Sequence, residues 1–124
     1  MSFAQTLHQI VEDCGGGVAA VLIGRDGLPI EQVESPDPER SGLLADVGVA
    51  GVEFGRLVEE ARKASDALDA GPPRECVFVL HRLSIVVHAV DAETYVVLAL
   101  APDGNLGKAR YLLRRYGLAI REEL

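Results

Sequence analysis

The sequence predicts an α/β (α+β) sandwich, an open sheet of five strands covered by helices on both faces. Its element order is helix-strand-strand-helix-strand-strand-strand-helix. Three observations carry this. The apolar run Tyr95 to Ala101 meets a Pro102-Asp103-Gly104 turn, and Asn105 then opens a segment with Leu106, Ala109, Leu112, Leu113 and Tyr116 on one helical face. Two more apolar runs precede it with short connections, so the three strands form an antiparallel meander. Near the start, Val18 to Ile23 runs into Asp26-Gly27, a dipeptide that suits the positive φ angles of a hairpin turn. Four of the strands are too apolar to face water on either side, which calls for helices on both faces.

The elements follow in order. Ser2 with Gln5 three residues on fits a capping box, and Phe3, Leu7, Ile10 and Val11 recur at helical spacing, so a helix is expected from Ser2 to about Asp13. Gly15-Gly16-Gly17 ends it. This cluster precedes a strand instead of linking a strand to a helix, which is the wrong order for cradling phosphate, and it reads as a helix stop and a flexible entry to the sheet. Leu28 to Val33 returns from the hairpin. Its Pro29 cannot donate to a ladder, which marks an edge strand. A long helix is expected to begin at Pro38 or shortly after Ser41 and to run to about Leu68, with Leu43, Leu44, Val47, Ala50, Phe54, Leu57, Val58 and Ala61 in a 3.6 period. Its second half is charged, with Glu59 and Lys63 at i,i+4 spacing. Ala70-Gly71-Pro72-Pro73 breaks it. Glu75 to Leu80 and Leu83 to Val90 are the next strands. Asn105 is expected to cap a final helix that ends near Glu122, with Gly117 as a kink or fray point.

At 124 residues the chain reads as a single domain, 1–124, with enough residues for a sizeable core. Its 48% apolar and 25% charged residues are ordinary for a globular protein and argue against disorder. Apolar runs stop far short of the roughly 20 residues of a bilayer span. No basic segment followed by an apolar block opens the chain, so no signal peptide is expected. Cys14 and Cys76 read as reduced thiols of a cytoplasmic protein. A formal net charge of −7 argues against a general nucleic-acid binder, whose affinity rests on phosphate neutralisation. From Asn105 onward, however, five basic residues face only Glu122 and Glu123. That basic last helix reads either as a solvated face or as a binding face.

The search for chemistry yields no catalytic set. His8, His81 and His88 lack a partner at metal-ligand spacing, and His88 reads as a core or interface residue. Ser65 and Ser84 are not in a nucleophile-elbow context. Neither cysteine has an activator visible in the sequence. Asp26, Asp91 and Asp103 each sit in a turn, where aspartate commonly caps backbone. The stretch 102–108 leaves a strand and opens a helix, but Pro102 and Ala109 break the phosphate-loop pattern. No catalytic, cofactor-binding or metal-binding residue is assigned, no cofactor is expected, and the chain is read as a non-enzyme.

Two features point to self-association. Gly48, Gly51 and Gly55 cost a soluble helix about 1 kcal/mol each relative to alanine. They let another backbone approach, either the chain's own sheet or a second helix. Cys76 to Leu80 is an apolar strand with nothing to discourage edge pairing. A homodimer is therefore expected through this edge, the glycine-bearing helix, or both.

The strand-Asp-Gly-Asn-Leu-Gly-x-x-Arg-Tyr-x-x-Arg-Arg pattern that ends at Arg115 resembles the C-terminal signature of the Roadblock dynein-light-chain family. Val21 to Ile30 is similar to that family's first hairpin. The nearest branch looks like the prokaryotic MglB-type regulators of Ras-like GTPases, and the element order matches across nearly the whole chain. The resemblance implies a Roadblock (profilin-like) fold with a five-stranded antiparallel sheet, the central helix on one face and the terminal helices on the other. It implies a dimer in which central helices pack together and third strands pair. The interface residues would be Leu44, Val47, Gly48, Gly51, Phe54, Gly55, Val77 and Val79. It further implies a non-enzymatic regulator of an MglA-type Ras-like GTPase, an activating or co-activating partner that supplies no arginine finger. The GTPase contact would be the exposed side of the central helix, including Glu53, Arg56, Glu59, Glu60 and Lys63. A scaffold or polarity adaptor that binds a GTPase without changing turnover, and a small-molecule sensor module, are the alternatives.

Overall fold

The structure is a computed structural model that describes residues 2–124. Its elements are α1 (Phe3–Asp13), β1 (Gly17–Gly24), β2 (Pro29–Glu34), α2 (Pro38–Ser41), α3 (Val47–Ala67), β3 (Glu75–Val79), β4 (Ser84–Ala89), β5 (Thr94–Leu100) and α4 (Leu106–Glu123). The five strands form one sheet in the order β2-β1-β5-β4-β3, and every pairing is antiparallel. β5 is central, and β2 and β3 are the edges, as Pro29 and the meander predict. All seven residues of β5 are buried, because alternate side chains enter cores on opposite faces. Val96, Leu98 and Leu100 join Leu7, Ile10, Leu113 and Ile120 beneath α1 and α4. Tyr95, Val97 and Ala99 join Val47, Val58 and Ile85 beneath α3. No helix among the described residues is long and apolar enough to cross a membrane.

The caps form where the sequence places them. Ser2 and Gln5 make the reciprocal capping box of α1. Asn105 accepts from the Lys108 amide at 3.0 Å and starts α4. Asp26 and Asp91 accept from the amides of Leu28 and Glu93, at 3.0 and 2.8 Å, and close their turns.

Four expectations are corrected. The central helix does not begin near Pro38 or Ser41. Asp37 caps a one-turn helix with Pro38 in its first turn, the chain bends through 42–46, and Asp46 caps α3 separately. Leu43 and Leu44 thus lie outside the helix. Second, Gly15-Gly16-Gly17 is no flexible entry. The Gly15 and Gly16 carbonyls accept from Asn105 and Ala101 at 2.9 and 2.8 Å, which locks the α1–β1 junction onto the β5–α4 turn. Third, Gly117 does not interrupt α4, which continues to Glu123. Gly117 is buried, and a Cβ there would come 3.0 Å from His88 Nε2. The missing side chain makes room for the imidazole. Fourth, Lys63 pairs with Glu60 at 3.1 Å, because Glu59 is engaged elsewhere.

His88 is half-buried, and its Nδ1 has no hydrogen-bond partner. Burial holds its imidazole below the ordinary pKa; Glu75 opposes this shift, and Arg114 and Arg74 add to it. The folded state therefore favours the neutral ring. The resulting stability is present above the ordinary value of about 6.5 and is lost as pH falls through the lowered folded pKa. In urea titrations between about pH 7 and pH 5, His88→Gln is expected to flatten the loss of stability on the acid side. An unchanged acid limb would contradict this account.

Candidate functional site

The candidate surface is built on α3, whose two sides differ. Asp46 Oδ1 accepts from the Gly48 and Val49 amides at 2.9 and 3.3 Å and satisfies donors that a helix start leaves open. Val47, Ala50 and Val58 then point into the sheet, 2%, 7% and 2% exposed. Val49, Val52 and Leu57 point outward, 56%, 36% and 47% exposed. Glu53 with Arg56 and Glu60 with Lys63 form i,i+3 ion pairs at 3.5 and 3.1 Å among these apolar residues. Such exposed pairs add little stability.

The candidate interface residues divide in the same way. Val47, Gly48 and Gly51 are buried within the single chain. A Cβ on Gly51 would lie 2.8 Å from Val21 Cγ1 and 3.1 Å from Ile23 Cδ1, and one on Gly48 would lie 3.0 Å from Gln32 Oε1. These two glycines let α3 lie close on its own sheet, and with Val47 they are buried in the single chain. Gly55 is different, since a Cβ there meets nothing within 4 Å. Phe54 stacks on Phe78 of β3 with ring centroids 5.0 Å apart at 59°, and Leu44 is half-buried beside the same core. On β3 the alternation sends Cys76 and Phe78 toward α3. Val77 and Val79, 37% and 72% exposed, project to the opposite face of the sheet.

The contrast between glycines gives a direct expectation. Gly51→Ala should destabilise by about 1–3 kcal/mol through overpacking. Gly55→Ala should stabilise by roughly 0.5–1 kcal/mol, because alanine is the better helix former and space is open. Thermal melts of the two variants check this, and equal shifts would contradict the assignment of sides.

Glu59 plays a part that its position in the sequence does not reveal. Arg25 from the β1–β2 turn donates to both of its carboxylate oxygens at 2.9 and 3.0 Å. Tyr95 Oη donates to Oε1 at 2.7 Å and accepts from Arg62 at 2.9 Å. The Arg25 hydrogen bond lowers the Glu59 pKa against the opposing effect of burial, and Tyr95 and Arg62 assist. The network ties α3 to the hairpin and the central strand, so Glu59 is a clamp more than a free contact. Beside it a cavity of about 260 Å³ opens between hairpin and helix, lined by Arg25, Asp26, Gly55, Arg56 and Tyr95 among others. A second groove of about 430 Å³ runs along Pro29, Gln32, Val49, Val52 and Glu53. Val52 borders both, so the outward side of α3 is continuous with two concave surfaces.

Among the described residues no three His, Cys, Asp or Glu side chains gather as a metal site. Burial raises the pKa of both free cysteines, the reverse of nucleophile activation; at Cys14 the backbone and nearby cations oppose the shift, and at Cys76 the Glu75 charge adds to it.

No family model matches the chain, and no curated protein matches it. Solved structures do. MglC from Myxococcus xanthus is 31% identical with a TM-score of 0.69, and the match covers 100% of each chain. A Roadblock/LC7 domain from Streptomyces avermitilis is 17% identical with a TM-score of 0.83, over 99% of this chain and 98% of that one. An MglB with a tetrameric arrangement is 18% identical with a TM-score of 0.81, over 95% of this chain and 84% of that one.

Proposed function

The chain belongs to the Roadblock/LC7 family, and from that premise we propose that it is a homodimeric, non-enzymatic regulator of a Ras-like small GTPase of the MglA type. The observation that carries the reading is the outward side of α3, where three exposed apolar side chains lie among paired charges and between two grooves. Apolar residues interleaved with charge suit a partner that docks and leaves, as a regulator must. The dimer is supported by β3, a sheet edge that carries neither proline nor lysine.

The proposed mechanism is conformational: the bound surface stabilises the hydrolysis-competent switch loops, and the GTPase supplies its own catalytic groups. The test is single-turnover GTP hydrolysis by an MglA-type GTPase with and without the chain, then with Arg56→Ala. Arg56 is the exposed arginine of the surface and is paired with Glu53 at 3.5 Å. The account expects acceleration that Arg56→Ala lowers by less than about tenfold, whereas removing an arginine finger costs about 10³-fold or more. A loss of that larger size would contradict the mechanism. Identity with the MglB structure is only 18%, so activation does not transfer from it, and a scaffold that binds without changing turnover is the second reading. Binding without acceleration would favour that scaffold.

A further inference from the structure

We propose that the cavity between the start of α4's last turns, the end of β4 and the segment before β3 binds the phosphate group of a small molecule. Two adjoining hollows of about 210 and 290 Å³ lie there and share Arg74, Ala89, Val90 and Arg121 in their walls. Arg114 and His88 line the first, and Arg62 and Asp91 line the second. Arg62 is already paired with Glu59, so three further guanidinium groups face one carboxylate, in a chain whose acidic residues outnumber its basic ones 19 to 12.

The pairing pattern makes the cluster unusual for this molecule. Arg25, Arg40, Arg56, Arg62 and Arg110 each hold a carboxylate. Arg74, Arg82, Arg114, Arg115 and Arg121 hold none among the described residues, and of these Arg74, Arg114 and Arg121 converge on one cavity. All three side chains are exposed, so water screens their mutual repulsion, and an anion in the hollow would give the three a shared counter-charge. Asp91 is the one carboxylate in the walls, and its Oδ1 also accepts from the Glu93 amide at 2.8 Å. His88 adds a buried Nδ1 without a partner in the wall of the same cavity.

The chemistry of the walls narrows the ligand. Guanidinium groups match phosphate oxygens with paired, charge-assisted hydrogen bonds. Each hollow is smaller than the roughly 300–1,000 Å³ of pockets for drug-sized ligands, which suits a phosphate or diphosphate group. The inference stands apart from the GTPase reading, because none of the α3 contact residues Glu53, Arg56, Glu60 or Lys63 lines this cavity.

Isothermal titration of the full chain with inorganic pyrophosphate tests it. The expected result is saturable binding, one per chain, with a Kd below about 1 mM. Arg114→Ala and Arg74→Ala should each weaken it by about tenfold or more. Arg115→Ala should leave it unchanged, since Arg115 sits on the same helix but lies over the Tyr116 ring and outside the cavity. Histidine side-chain NMR should show His88 shifting on addition while His8 and His81 stay put. Arg74 lies in a connecting segment, so its variant tests binding without altering a helix. Absence of saturation, or equal weakening by Arg115→Ala, would overturn the site. So would adsorption to phosphatidylglycerol vesicles through these arginines without pyrophosphate binding, because the anion would then be read at the surface and not in the cavity.

Discussion

Replacing Gly16 with alanine is expected to lower the melting temperature by roughly 10 °C, from a loss of about 2–4 kcal/mol. Two costs combine. Gly16 has φ +115°, a region that L side chains avoid. A Cβ there would also overlap the Gly104 Cα of the facing turn, and that turn is held by the two hydrogen bonds to the Gly15 and Gly16 carbonyls. Neither backbone can retreat without breaking the junction that sets α4 on the sheet. Gly27→Ala separates the two costs. Gly27 also has positive φ, but a Cβ there meets nothing within 4 Å, so only the backbone cost of about 1 kcal/mol applies. Differential scanning calorimetry of both variants checks the difference. If Gly16→Ala melts with Gly27→Ala, the packed junction is not what constrains Gly16.

Placing lysine at both Val77 and Val79 is expected to leave the chain monomeric. In the proposed dimer each β3 edge meets its copy, and the two-fold axis brings the new charges together. Like charges at an interface cost several kcal/mol, or more than about a hundredfold in Kd, and edge lysine is a natural block to strand pairing. Both side chains are exposed on a terminal strand, so the fold should survive the change. Light scattering should give about twice 13.2 kDa for the parent chain and 13.2 kDa for the variant. A parent chain that is monomeric at high micromolar concentration would remove the dimer from the account. A variant that stays dimeric would move the interface off β3.

The sheet was legible because its signals are local. β1, the Asp26-Gly27 hairpin and β5 follow from apolar runs bounded by turn residues, and Pro29 marks its own edge. The Asn105 cap is likewise a matter of three residues. What escaped the sequence depends on contacts between distant segments. The apolar period ran unbroken through Leu43 and Leu44, so it concealed the bend between two Asp-capped helices. Gly48, Gly51 and Gly55 recur at helical spacing, yet the first two face the sheet and the third faces open space, which only the position of β1 and β2 decides. Glu59 met its expected partner Lys63 in spacing, but Arg25, 34 residues away, holds it instead. Tyr95 read as one more apolar strand residue, and its hydroxyl gains meaning only once α3 brings Glu59 and Arg62 over it. The basic last helix read more readily as a solvated face than as a binding face, because Arg74 joins Arg114 and Arg121 only through the fold. For the candidate site, the family resemblance named the exposed side of the central helix through Glu53, Arg56, Glu59, Glu60 and Lys63, and it did not name Val49 and Val52, whose exposure no periodicity distinguishes from core.

The most direct measurement of the central claim is the mass of the complex formed with a purified MglA-type GTPase, by size exclusion with light scattering, loaded in turn with a GTP analogue and with GDP. The account predicts that two copies of the chain co-elute with the GTPase in the GTP-analogue state, and that Val52→Glu with Leu57→Glu on the outward side of α3 abolishes this while the dimer persists. Separate elution of the two proteins in both nucleotide states would contradict it.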